Sequence, residues 1–323
     1  MITSTVQTVL DTDKIADIFT THYHLGTPTH CELIRAGFNH NYLIETGDGK
    51  YVLRVYLKGK YYIRNADDFR FELDLLNFLH KQGLPVVRPI ANHEGEWLTT
   101  HVFEDANTHH LALFHFAHGV EIDKASANGD LTDAHVEQIG EVKARIHQVT
   151  DNFQSPYHRY HLNLSTYLMD KPMQLLDTLL RERQLGDLTF LRPITERLRQ
   201  QVSTLTQTAP TYGIIHADMH GNNILLDNET GMTVIDFDHC AYGWRVYDFM
   251  VWRGNPEVLA TVLRGYESVR KLSSLEKELM PVFAKLQLLW DIGDVLLFKP
   301  LWGEEITNQY LEECVQVMKD EIT

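Results

Sequence analysis

The stretch GIIHADMHGNNILLDNETGMTVIDFDHC, residues 213–240, places four aspartates, three histidines and an adjacent pair of asparagines between short apolar runs. Its pattern is apolar (GII), polar loop (HADMHGNN), apolar (ILL), turn (DNETG), apolar return (MTVID). That is the pattern of a β-hairpin, here with segments 224–226 and 232–236 as the paired strands. Such pairing carries Asn223 at one end of the hairpin toward Asp236 at the other, with Asp218 five residues before the asparagine. An amide oxygen beside a carboxylate is a hard-oxygen donor set of the kind magnesium takes together with phosphate oxygens. A second carboxylate nearby can accept or orient a hydroxyl proton. Positioning and charge neutralisation are what phosphoryl transfer asks of a protein.

The bulk properties fit that chemistry and exclude others. The chain has 323 residues, 44% hydrophobic and 23% charged, with a formal net charge of −15. The length suits two domains. The acidic balance argues against a nucleic-acid or anionic-membrane partner and mildly favours a cationic small molecule. Three scattered cysteines suggest neither a disulfide framework nor a zinc site. The first residues lack a basic then apolar leader, and no apolar run reaches membrane-spanning length, so the expected compartment is the cytoplasm.

Outward from the hairpin, the chain divides by texture. Residues 11–23 read as a short helix, and 31–35, 42–46 and 50–57 as strands, the last two joined at Gly47-Asp48-Gly49. NADDFRFELDLLNFLHKQGLP (65–85) reads as a helix capped by Asn65 or Asp67. Residues 86–103 read as a strand pair turning near Glu94-Gly95. After Glu104 a linker and helix are expected. A clear amphipathic helix follows, with Val136, Ile139, Val142 and Ile146 on one face. Residues 170–205 and 254 to the end read as helical, the latter broken near Pro300. The expected architecture is α+β: a small antiparallel-sheet lobe over 1–103 and a mainly helical lobe over 104–323.

His216-x-Asp218-x4-Asn223, followed by Asp236-Phe-Asp238 eighteen residues after Asp218, resembles the catalytic core of the aminoglycoside phosphotransferase and choline kinase family, which has a two-lobed protein-kinase-like fold. The resemblance spans about residues 25–300. It implies that ATP and Mg2+ are the cofactors and that Asp218 is the catalytic base or hydroxyl-orienting residue. It further implies that Asn223 and Asp236 hold the metal and that Asp248, in YDF, braces the catalytic loop. YVLRVY looks like the strand carrying the phosphate-contacting cation, here Arg54, for which Glu72 is the natural partner on the following helix. RAGFNHNYLI stands where the nucleotide-covering loop belongs, with a single glycine. TTHVFE would be the adenine-contacting hinge, at Thr100, Val102 and Phe103.

Other polar residues carry weaker signals. His216 reads as structural, bonding to the loop backbone. His220 is open between loop residue and substrate contact, and Asp238 reads as bonding within its own loop in preference to a second metal. Of His101, His109, His110, His115 and His118, only His115 and His118 have a helical i,i+3 spacing, and no carboxylate partner follows at ligand spacing, so surface or cleft histidines are expected in place of a metal site. Trp290, Asp291 and Asp294, with Trp302, offer either an aromatic and acidic pocket for a cation or plain helix core. The expected function is transfer of the ATP γ-phosphate to a hydroxyl of an amino alcohol, a homoserine-like amino acid, a sugar or an aminoglycoside. The alternatives are a protein serine/threonine kinase of the same fold and a non-catalytic nucleotide-binding module.

Overall fold

The structure is a computed structural model. It describes residues 9–302 and isolated positions beyond, leaving out 38, 58–59, 61, 103–107 and most of 165–191; the side chains of 292–302 also fall outside the description. The chain forms two compact units. The first comprises the residues up to Leu131 with Asn152–Arg159 and Gly221–Asp238. The second comprises Thr132–Asp151, Tyr160–His220 and the residues from His239.

In the first unit, α1 (Thr12–His22) is capped by the Asp11 carboxylate and buries Ile15, Ile18 and Phe19. Strands β1 (His30–Ala36), β2 (Asn39–Thr46) and β3 (Gly49–Tyr56) form an antiparallel meander. Helix α2 (Ala66–Lys81) takes Asn65 as its cap. It buries Phe69, Leu73, Leu76 and Leu79, the face its sequence marks.

Two expectations change in this unit. The residues after Glu104 form a strand, β6 (Thr108–His115), where a helix was expected. It pairs with β3 along Tyr51–Tyr56 and is buried from Leu111 to Phe114. A four-residue apolar run covered on both sides suits an inner strand, and periodicity cannot separate it from a buried helix. Strands β4 (Pro89–Ile90) and β5 (Thr99–Val102), expected to pair with each other, both pair with β6 instead. The sheet therefore runs beyond residue 103, and the first unit with it.

The 213–240 stretch forms the expected hairpin. Strands β9 (Ile224–Asp227) and β10 (Gly231–Val234) pair with Leu226 opposite Met232 and Ile224 opposite Val234. The short β7 (Val120–Glu121) adds a third strand to β9. Gly119 is required here, because a Cβ at that position would lie 2.8 Å from the Leu226 carbonyl oxygen. Val234 also exchanges backbone bonds with Pro85 and Val87, which anchors the hairpin to the segment after α2.

The second unit packs helices on a two-stranded ribbon of β8 (Tyr212–Ile215) and β11 (Ala241–Trp244). Helix α4 (Asp133–Val149) follows the short α3 (Ile122–Asn128) of the first unit in sequence and begins with a Thr132–His135 capping box. Helix α5 (Arg192–Val202) lies within the helical run expected over 170–205. Helix α6 (Pro256–Val269) lies tight against α4, with α7 (Ser274–Glu278) and α8 (Met280–Trp302) after it. Helix α8 runs past Pro300, where a break was expected. At the α4–α6 contact, a Cβ on Gly140 would stand 1.9 Å from the Val262 carbonyl oxygen, and one on Gly265 would stand 1.9 Å from that of Glu137. Two glycines thus let the backbones touch. Among the described residues no helix is long and apolar enough to cross a membrane.

Candidate active site

The first unit holds a cavity of about 430 Å3, a size that suits a drug-sized ligand. Ile34 and Val52 from the large sheet, and Leu225 and Ile235 from the hairpin, give it an apolar lining. Phe116 and Ala117, which follow β6, complete one side. Arg54 and Asp236 supply charge.

Arg54 is 7% exposed and its donors are committed in three directions. Nη1 meets Glu72 at 3.1 Å, Nη2 meets Asp236 at 3.2 Å, and Nε donates to the Asn41 amide oxygen at 3.2 Å. Burial opposes its charge, yet Asp236 and Glu72 hold the guanidinium protonated beyond its ordinary range. Glu72 is fully buried and also accepts from the Tyr56 hydroxyl at 3.1 Å. Burial raises its carboxyl above the usual carboxylate range, against the pull of Arg54. Two long elements, β3 and α2, therefore aim a cation and its counter-ion at the end of the hairpin.

Asn223 closes a 3-10 turn (Gly221–Asn223), and its carbonyl accepts from the Ile235 amide at 2.9 Å, one step beyond the β9–β10 ladder. Asn223 and Asp236 thus flank the same end of the hairpin. Asp236 adopts φ 62°, a left-handed conformation that a non-glycine residue rarely takes outside functional turns. Asp238 is buried and bonds to partners brought by other segments: the Asn39 amide at 3.1 Å and the Lys60 ammonium. The Asp238 carbonyl accepts from Arg159, which also donates to the Asp68 carbonyl at 2.6 Å.

In the second unit, the loop His216–His220 is fixed by one buried carboxylate. Asp248 accepts from the His216 amide at 3.2 Å and from the Ala217 amide at 2.6 Å. Ala217 has φ 67°, again left-handed. Asp248 lies in a 3-10 segment (Arg245–Trp252) and is itself held from α4. Lys143 donates to its carbonyl at 2.6 Å, and His147 Nε2 lies 3.0 Å from its carboxylate. Burial alone would raise the Asp248 carboxyl; Lys143, His147 and His216 outweigh it and hold the group far below the usual range. The Asp218 amide meets His216 Nδ1 at 3.3 Å, and the Asp218 carboxylate, about a third exposed, lies 3.6 Å from His220 Nε2. Burial opposes its charge, but His220, His239 and His216 lower its pKa, so Asp218 is an ionised acceptor.

Some expected residues stand elsewhere. Thr100 and Val102 do not line the cavity; Val102 is 61% exposed, and Phe103 lies outside the described residues. The reason is strand direction. β5 runs antiparallel to β6, with Val102 opposite Thr108, so its end lies roughly 20 Å of strand from His115, where β6 reaches the cavity. Trp290 is buried, with its ring centroid 6.5 Å from that of His239, and Asp291 is paired with Arg253 at 2.8 Å. Asp294 falls outside the described side chains. Sequence reading missed Lys143 and His147, although two polar residues at i,i+4 within an apolar stripe were a visible signal.

These features coincide with a known family. Residues 30–286 match the model of the phosphotransferase enzyme family. A homoserine kinase from Phenylobacterium zucineum is 28% identical over 295 residues, covering 86% of this chain and 83% of that protein. The microcompartment-associated aminopropanol kinase superposes with a TM-score of 0.73 at 22% identity, covering 95% of each chain. Amicoumacin kinase hAmiN, solved with AMP-PNP, Ca2+ and amicoumacin, superposes with a TM-score of 0.75 at 19% identity, covering 97% of this chain and 94% of that one. The chain belongs to the phosphotransferase enzyme family and has its kinase-like fold. It is an ATP-dependent phosphotransferase acting on small molecules.

Proposed function

We propose that the protein transfers the γ-phosphate of ATP to the hydroxyl of a small amino alcohol or a homoserine-like amino acid. The observation that carries this reading is the Arg54 trio: a buried guanidinium bonded to Glu72 and Asp236 beside the apolar part of the cavity lining. The apolar lining takes the adenine. The chain at Phe116 and Ala117 takes the hinge role, in place of Thr100 to Phe103. Arg54 meets the phosphates.

The donor set fits a divalent magnesium-like ion. Asn223 and Asp236 offer an amide and a carboxylate oxygen at one end of the hairpin. Among the described residues no three His, Cys, Asp or Glu side chains gather to hold an ion alone. That suits a cation that completes its shell with phosphates and water. When bound, such an ion neutralises charge on the transferring phosphate.

Asp218 has the role of aligning the acceptor hydroxyl and taking its proton. The hydroxyl oxygen forms a bond to the γ-phosphorus, the bond to the β–γ bridging oxygen breaks, and ADP leaves. A carboxylate held below its ordinary pKa is a weak base, so alignment is its larger contribution, with the proton arriving late in the step. Asp248 keeps the loop amides fixed while this happens.

The acceptor class rests on the homoserine kinase relatives and on the net charge of −15. The test is ADP release with Mg-ATP over L-homoserine, 1-amino-2-propanol, choline and an aminoglycoside, with Asp218→Asn as control and 31P NMR of the product. Phosphate appearing on protein while every small acceptor stays inert would sink this reading in favour of a protein kinase.

A further inference from the structure

The segment that stands where a phosphate-covering loop belongs, RAGFNHNY, contains one glycine, Gly37, so a glycine-rich run of backbone amides is absent from it. The charge beneath it is also poorly balanced for a polyanion. Arg54 is the buried cation of the cavity, and its guanidinium is already bonded to both Glu72 and Asp236. Lys124, which also lines the cavity, is paired with Glu121 at 2.8 Å. A nucleotide tail carries more negative charge than Arg54 and one divalent ion held by Asn223 and Asp236 can balance, so a further cation has a place there.

The sheet supplies one. Strand β1 pairs regularly with β2 as far as Leu33 opposite Tyr42, then shifts register, so that Arg35 faces Asn41. In an unbroken ladder Ile34 would face Asn41 and Arg35 would point to the other side of the sheet. The bulge at Ile34 therefore turns Arg35 onto the face shared by Asn41. Asn41 in turn sits opposite Arg54 on β3. The result is a row of cross-strand neighbours, Arg35–Asn41–Arg54, each about 5 Å from the next at Cβ and all three lining the cavity. Asn41 already accepts from Arg54 Nε at 3.2 Å. Arg35 is exposed, and among the described residues no carboxylate holds it in an ion pair.

We propose that Arg35 is a second phosphate-binding arginine, and that the bulged row Arg35–Asn41–Arg54 does the work that glycine-loop amides do in other nucleotide sites. The assignment rests on the nucleotide reading of the cavity. A guanidinium placed by a β-bulge has two consequences. The site prefers nucleoside polyphosphates over nucleosides, and that preference depends on charge supplied by a side chain. Bulges beside active sites characteristically re-aim one side chain in this way. A guanidinium also meets phosphate oxygens with paired donors, which an ammonium does not.

The test is calorimetric titration of the full chain with ATP, ADP and adenosine, in the wild type, Arg35→Ala and Arg35→Lys. Arg35 is exposed and outside the core, so both variants are expected to fold; their melting temperatures check this. Arg35→Ala should weaken ATP and ADP by about tenfold to a hundredfold and leave adenosine unchanged. Arg35→Lys should recover part of the loss, and added salt should weaken ATP less in Arg35→Ala than in the wild type. Unchanged ATP affinity in Arg35→Ala overturns the proposal, as does an equal loss for ATP and adenosine, which would make Arg35 a wall of the pocket. A wild type that binds neither ATP nor adenosine removes the nucleotide reading itself, a different result from any in which the wild type binds and the variant does not change.

Discussion

The imidazole of His147 lies 3.0 Å through Nε2 from the carboxylate of Asp248, while its Nδ1 lies 2.9 Å from the Tyr266 hydroxyl, all three side chains being buried. An ionised carboxylate only accepts, so Nε2 carries the proton and Nδ1 accepts from Tyr266. The ring is neutral and fully bonded. Its second proton is opposed first by burial and then by Arg245 and Lys143, while Asp248 favours it; the balance lowers its pKa to about 4. The loop that carries Asp218 thus hangs from a carboxylate fixed by helix α4.

A pH dependence of stability follows. An unfolded histidine takes up its proton near pH 6.5, whereas His147 in the fold stays neutral to about 4. Between those values the unfolded chain binds more protons, so stability falls as pH drops through that window. The whole window is worth about 3 kcal/mol, of which about 2 kcal/mol is lost by pH 5. Urea unfolding of the wild type and His147→Gln at pH 7.5 and pH 5 checks this. The glutamine amide can keep the bond to Asp248 but has nothing to titrate, so the variant should lose less stability by about that amount. Equal losses would show that acid acts elsewhere.

The contact between α4 and α6 decides whether that carboxylate is held at all. An alanine Cβ at residue 140 meets the Val262 carbonyl at 1.9 Å, which backbone must move to relieve. Gly140→Ala should destabilise the protein by about 1–3 kcal/mol, the usual range for overpacking, even though alanine is the better helix former. Thermal melting at neutral pH measures it, and a variant as stable as the wild type would mean that the helices separate at little cost.

Arg54 and Glu72 must be judged as a pair. Arg54→Ala removes the proposed phosphate contact and also leaves a buried carboxylate without its cation, at a cost of about 3–5 kcal/mol. Arg54→Met with Glu72→Gln removes both charges and should recover much of the stability without recovering ATP binding. Melting temperature and ATP titration on the same samples separate the two effects. ATP affinity that survives in the stable double variant would move the phosphate contact elsewhere.

The cavity lining makes a distinction that the sequence alone drew differently. Thr100→Ala and Val102→Ala should leave ATP affinity within about twofold of the wild type, because neither side chain reaches the cavity. Leu225→Trp, which fills it, should weaken ATP by about tenfold or more. Titration with ATP measures all three, and a large loss in Val102→Ala would return the hinge to β5.

What could be foreseen depended on how local the determining physics was. The first three strands, α1, α2 and α4 were legible because caps, turns and apolar periods lie within a few residues of each other. Hairpin 224–234 was legible because its turn and its polar ends are contiguous. Strand β6 was not: Leu111–Phe114 is apolar without alternation, and only its partners on both sides reveal a strand. The expected hinge residues Thr100 and Val102 fell outside the cavity lining as a consequence, since the strand that reaches the cavity had been read as a helix. Glu72 was legible as a carboxylate needing a cation. Lys60, Asn39 and Arg159 around Asp238 were not, because they come from three separate segments. Arg35 depended on a one-residue shift of register, which composition does not encode.

The sharpest test of the reaction is Asp218→Asn. Asparagine keeps the size of the side chain and can still bond to a neighbouring donor through its oxygen, but it accepts no proton and carries no charge. The wild-type carboxylate is about a third exposed and ionised, so its loss costs no buried pair. Folding should therefore be intact, and Mg-ATP should bind within a few fold of the wild type, since the proposed function gives the phosphate contacts to Arg54 and the metal to Asn223 and Asp236. Turnover should fall by about a hundredfold to ten-thousandfold, the range for removing a positioned acid–base group. Asp236→Ala should give the opposite split, with metal-dependent ATP binding lost. Single-turnover assays with the best acceptor, beside calorimetric ATP titrations, separate binding from chemistry. An Asp218→Asn enzyme with wild-type turnover would remove Asp218 from the reaction and leave its ionised state a matter of loop packing with His220.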